Sequence, residues 1–257
     1  MTQPLSVAFS TDQTRAAFTL SHPKGNILTR EMIGALRSAL ESVAENPHLK
    51  LITIEGARDD FSFGASIPEH APGEIGLALP EMHALIYELL DATAPTAALV
   101  RGRCFGGGFE LALACDFIVA EETATFALPE IALGVFPPAA SALLPYRLGG
   151  ALASQCILTG ESTTARLLHA RGLVALIAGR GSLNGVVDEW FTTRFAPRSA
   201  AALRHAAAAA RMGLVAHVHG LLPQLERLYL EDLMRTQDAV EGIAAFLARR
   251  APSWTDR

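Results

Sequence analysis

Two short apolar segments within residues 5–20, LSVAFSTDQTRAAFTL, flank the polar stretch STDQTR, a pattern that predicts a β-hairpin. SHPKGN follows as a loop. The spacing then changes to that of a helix, with Thr29 placed to cap a face carrying Met32, Leu36, Leu40 and Val43. LKLITIEG predicts a buried strand, which makes ARDDFSFGAS a crossover from strand to helix. Further along, ALPEMHALIYELLDA predicts a helix and PTAALVRG a strand. The glycine run leads into a helix ending near Cys115, and FIVAEE predicts one more strand. Strands and helices that alternate in this way indicate an α/β fold with right-handed crossovers. From about residue 151 the pattern is almost wholly helical. A shift in composition near FAPRSA divides a core of residues 1–195 from a helical C-terminal region, residues 196–257.

A chain of 257 residues, half of them hydrophobic and 18% charged, can bury one substantial core. The formal charge of −5 and the absence of Lys/Arg blocks argue against nucleic-acid binding and against an anionic membrane surface. MTQPLSVAFS has no basic segment followed by a long apolar one, and no apolar run reaches the length of a membrane span. A soluble, cytoplasmic protein is therefore expected. Cys104, Cys115 and Cys156 lie in apolar contexts without metal-ligand spacing, so they are expected to be small core residues in a reducing compartment. The histidines His205, His217 and His219 form no metal constellation, and no metal is expected.

The chemistry is concentrated in CFGGGFELALACDF, residues 104–117. Consecutive glycines between a strand and a helix permit close backbone approach and present the free N–H groups of the helix end. Such a site binds a phosphate or an oxygen that becomes negative during reaction. Glu110 lies three residues after Gly107 and interrupts an otherwise apolar run. Glu130 has a similar setting in TFALPEIALGVFPPAAS. Two acids in apolar surroundings are candidates for shifted pKa values and acid–base work, although spacing alone equally allows salt-bridged or exposed carboxylates.

The segment VRGRCFGGGFELALACDFIVAEETATFALPEIALGV resembles the central signature of the crotonase (enoyl-CoA hydratase/isomerase) superfamily. Similarity extends in order through HPKGNILTREMIGAL, FSFGASIPEH, LTGESTTARLLHARGLV and TQDAVEGIAAFLARRAPSW, which covers nearly the whole chain. The resemblance implies a spiral of ββα units with two roughly perpendicular sheets and a helical trimerisation region. It also implies an acyl-CoA thioester substrate, with coenzyme A as part of the substrate and no separate cofactor, and a homotrimer or homohexamer. Glu110 and Glu130 fall on the positions of the family's catalytic glutamates, with the roles of base and acid left open. The N–H groups of Ala65 and Gly107 fall on those of its oxyanion hole. Lys24, Phe63, Ser66, Ile67, Phe136 and Pro138 are placed about the substrate by the same resemblance. Arg249 and Arg250 are candidates for coenzyme A phosphates, and His70 lies near the expected pocket with a surface position as the simpler expectation.

Two departures from the family pattern stand out. Ser66 replaces a common aspartate, and Phe136-Pro137-Pro138-Ala139-Ala140-Ser141 replaces a glycine-rich segment. Pro138 has no N–H, so a hydrogen bond from that amide is expected to be lost. In FSFGASIPEH and LGVFPPAASALLP the chain is similar to the branch of the family that hydrates cyclohexa-1,5-diene-1-carbonyl-CoA in anaerobic aromatic degradation. There Phe63, Phe136 and Pro138 would wall a flat ring. A short-chain enoyl-CoA hydratase, a double-bond isomerase, and a non-catalytic acyl-CoA-binding or scaffold protein of the same fold stay open as alternatives.

Overall fold

A computed structural model describes residues 3–71 and 73–257. The hairpin forms as read. β1 (Leu5–Phe9) and β2 (Arg15–Leu20) pair antiparallel, with Leu5 opposite Leu20. The Ser10 hydroxyl closes the turn by accepting the N–H groups of Thr14 and Arg15. In α1 (Arg30–Ala44), Thr29 accepts the N–H of Met32, and Met32, Ile33, Leu36, Leu40 and Val43 are buried. There follow β3 (Leu51–Gly56), α2 (Ile75–Leu90), β4 (Thr96–Val100), β5 (Arg103–Phe105), α3 (Gly107–Ala114), β6 (Phe117–Glu121) and β7 (Thr125–Ala127). β3, β4 and β6 are nearly continuous apolar runs because helices cover both faces of their sheet.

The second half contains α4 (Pro138–Leu148), α5 (Gly150–Thr159), β8 (Thr163–Thr164), α6 (Ala165–Ala170), β9 (Leu176–Ala178), α7 (Leu183–Trp190), α8 (Ala200–Arg227) and α9 (Gln237–Leu247). Strands are arranged β1-β2-β3-β4-β6-β9 in the large sheet, parallel from β2 onward, and β5-β7-β8 in the small one.

Two expectations change. The stretch after residue 151 is not wholly helical, since β8 and β9 each complete a sheet edge. Strands of two and three residues carry too little periodic signal to be read from sequence. α2 begins at Ile75 rather than Ala78 and runs through Pro80, because Ile75 and Leu79 are buried against Val135 and Tyr229. Cys104, Cys115 and Cys156 are buried and free, as expected. Among the described residues no helix is long and apolar enough to cross a membrane.

The principal core lies between the large sheet and α1, α2, α3 and α4, and Val218 and Leu222 of α8 are part of it. α8 is also tied to the sheet by a buried cation. The Arg211 guanidinium pairs with Asp116, Nε to Oδ1 at 2.6 Å, and donates to the carbonyls of Leu90, Ala92 and Ala94. Asp116 in turn accepts the Thr96 N–H at 2.7 Å, so one charge pair fixes the end of α2 and the starts of β4 and β6. Removing one partner of a buried pair strands the other charge. Arg211→Ala is expected to lower the unfolding free energy by about 3–5 kcal/mol, and Arg211→Met with Asp116→Asn to recover most of it in urea titrations.

Candidate active site

Three loops converge where the small sheet meets the large one. The loop before α1 is pinned by Asn26, whose amide donates to the carbonyls of Ala57 and Asp60 at 3.0 and 2.9 Å. The Ser62 hydroxyl donates to Asn26 O at 2.7 Å and accepts the Gly64 N–H at 3.1 Å, tying the second loop to the first. Leu28 then bonds on either side of Ala65, donating to Gly64 O and accepting from Ser66 N–H. In extended backbone this turns the N–H of Ala65 away from Leu28 and into the site.

The glycine run supplies the facing donor. Gly106 has φ +51°, which a side chain rarely adopts, and its N–H is taken by Ala127 O at 2.9 Å. Gly107 is the first residue of α3, so its N–H has no intrahelical partner. A Cβ at Gly107 would lie 3.2 Å from Ala65 N, so the two backbones approach as closely as their atoms allow. Both residues line a cavity with about 40 Å³ of free space, shared with Glu110, Glu130, Tyr229, Met82, Ser66 and His70.

Glu110, 6% exposed, projects from the first turn of α3. Its Oε1 accepts the Ala140 N–H at 2.9 Å, at the start of α4. Pro138 is the first residue of α4, where a missing N–H costs the helix nothing, and the Ala140 amide beyond it holds the Glu110 carboxyl. Burial raises the pKa of Glu110, while the Ala140 amide, then His83, then the Ala139 amide pull it back. His83, itself buried on α2, is bonded through Nδ1 to Glu226 Oε2 at 2.5 Å.

Glu130 follows Pro129 in a short 3-10 turn, Pro129–Leu133. Its Oε2 is shut off from solvent and has no partner among the described residues. Burial and then the charge of Glu110 push its pKa up to about 8. Burial raises both acids, but only Glu110 has donors from α4 that offset it, whereas the charge of Glu110 raises Glu130 further. Unequal support of this kind separates the protonation tendencies of neighbouring carboxyls.

Of the other residues expected here, Ser66, Phe136 and Pro138 line the cavity. Ile67 does not: the 3-10 turn Ile67–His70 puts Ser66, Glu69 and His70 inward and Ile67 aside. Nor does Phe63. Its ring stacks on Phe105 at 6.5 Å and carries the Arg103 guanidinium at 4.2 Å. Lys24 is exposed on the first loop, outside the cavity, and Arg250 is held by Glu241 at 2.5 and 2.7 Å. His70 is half-buried and lines the cavity. Its Nδ1 meets Ser66 O at 2.9 Å, and burial lowers its pKa toward the neutral ring. Tyr229, buried at the cavity wall, has no spacing or motif that marks it in the sequence; its place in an apolar helical stretch is the only signal.

Ala65, Gly107 and two buried carboxyls of raised pKa thus border one cavity. The family model for enoyl-CoA hydratase/isomerase matches residues 11–257, and the chain belongs to that family. It is 39% identical over 254 residues to a cyclohexa-1,5-dienecarbonyl-CoA hydratase of Thauera aromatica, covering 99% of this chain and 98% of that one. A carnitinyl-CoA dehydratase of Salmonella arizonae is 34% identical over 242 residues, covering 92% and 93%. A crystal structure of an enoyl-CoA hydratase from Mycobacterium avium subsp. paratuberculosis K-10 superposes with a TM-score of 0.86 at 30% identity, covering 98% and 99%.

Glu130 also sets a pH dependence of stability. Unfolded, it ionises near the ordinary value of 4.5; folded, it keeps its proton to about 8. The folded chain binds the extra proton in that window, so stability falls as pH rises through it. Glu130→Gln removes the titration. Its unfolding free energy should gain on wild type from about pH 5 to about pH 8, with no further gain above.

Proposed function

We propose that this enoyl-CoA hydratase-type hydro-lyase adds water to cyclohexa-1,5-diene-1-carbonyl-CoA. The similarity to the Thauera aromatica hydratase over 99% of the chain carries the reading, because it exceeds that to the carnitinyl-CoA dehydratases. The cavity wall of Phe136, Pro137 and Pro138 supports it, since it is apolar and stiffened by two proline rings.

In this mechanism the thioester oxygen accepts the N–H groups of Ala65 and Gly107. Glu110, the better-supported carboxylate, takes a proton from water as the water oxygen bonds the β-carbon. Charge moves through the ring onto the thioester oxygen, where the two amides stabilise it without reorganising. Glu130 then gives its proton to the far end of the diene, leaving a hydroxycyclohexene thioester. The proton on Glu110 and the vacancy on Glu130 are exchanged before the next turnover. Coenzyme A enters and leaves as part of substrate and product. The same reading implies a homotrimer or homohexamer, which sedimentation checks.

The reaction fixes the position of the new carbon–hydrogen bond. In D₂O the ring substrate should acquire deuterium two carbons from the α-carbon, located by NMR. Brisk hydration of crotonyl-CoA with no turnover of the cyclic diene would assign the protein to short-chain enoyl-CoA instead. Glu110→Gln and Glu130→Gln should each lower kcat by roughly 10²–10⁴-fold. Wild-type kcat/KM should fall as pH rises past about 8, where Glu130 loses its proton.

A further inference from the structure

Tyr229 lies in the π-helical turn Leu228–Asp232 that follows α8. It is among the largest fully buried side chains, 1% exposed. Its ring meets Phe136 edge-on at 5.4 Å, and Phe136 itself lines the cavity. The ring is thus fixed by packing, while its hydroxyl has no hydrogen-bond partner among the described residues. A phenol left in that state costs stability unless something else occupies its hydrogen bond.

Glu130 Oε2 is in the same condition, and both residues border the same cavity. The free space of about 40 Å³ exceeds what one water needs, which is on the order of 10–15 Å³. Glu110, Glu130 and Tyr229 all border this space, with Ser66, Glu69 and His70 as further polar lining. We propose that the Tyr229 hydroxyl donates a hydrogen bond to the oxygen of the water that adds to the substrate, completing a three-point water site with the two acids. This rests on the hydratase reading and adds to it a third catalytic residue, one supplied by the C-terminal helical region.

The chemistry requires a donor there. As Glu110 withdraws a proton, the water oxygen gains negative charge before its bond to carbon is complete. A fixed donor stabilises that charge and leaves one lone pair free for attack. In the reverse direction the same donor stabilises the departing hydroxide. Tyr229 can act as a donor but not as an acid, since burial and then the charges of Glu130 and Glu110 push its pKa well above the ordinary phenol value.

Tyr229→Phe removes the oxygen and keeps the ring. The expected result is a fall in kcat of about 10- to 100-fold for whichever of crotonyl-CoA and the cyclic dienoyl-CoA the wild type hydrates. KM should be unchanged within about twofold and the melting temperature not lowered. Butyryl-CoA, a saturated thioester that takes no water, serves as the second probe. Its Kd should be the same for variant and wild type. Unchanged kcat would overturn the assignment, as would a parallel weakening of kcat/KM and of butyryl-CoA binding, which would make Tyr229 only part of the wall. A wild type that hydrates neither thioester removes the hydratase reading, and Tyr229's role with it. An active wild type beside an equally active variant removes the role of Tyr229 alone.

Discussion

The site depends on the cost of charging two carboxyls inside one apolar cavity. Among the described residues no Lys or Arg lines that cavity beside them, so both cannot ionise cheaply. The fold resolves the conflict by unequal support. α4 starts at Pro138 and turns its second and third amides toward Glu110, while the Glu130 carboxyl receives no comparable cradle. One proton shared unequally between the pair is the state from which the hydratase mechanism proposed above starts. In that proposal the amides of Ala65 and Gly107 take up the charge that neither acid holds.

Much of this was readable in the residues. Glycines between a strand and a helix, and acids inside apolar runs, are local features, and local features survive in one dimension. The hairpin, the cap at Thr29 and the buried strands β3, β4 and β6 were legible for the same reason. What depended on tertiary contact was not. The Ala140 amide bonds to Glu110 across 30 positions, so the sequence around Pro138 shows its missing donor but not the support beyond it. Phe63 looked like a pocket wall, but it is occupied by Phe105 and Arg103. His83 and Glu226 lie 143 residues apart, and their pairing leaves no trace in either segment alone.

The same division explains how binding shape and chemistry are distributed. Floor and reactive groups come from the loops before α1 and α3 and from the turn after β7. The roof comes from Ile75, Leu79 and Tyr229, which pack with Val135 and Ala239 in a small cluster separate from the principal core. Ile75 and Leu79 carry no polar group, so a change at them reshapes the acyl space without removing a reactive one, whereas Tyr229 joins the roof to the proposed chemistry.

That cluster also bears on how the site is assembled along the sequence. Glu110, Glu130, Ala65 and Gly107 all precede α4, whereas Tyr229 lies in the turn behind α8. Closing the cavity over the two acids therefore takes contacts of long sequence separation, and Arg211 holds α8 in place for them.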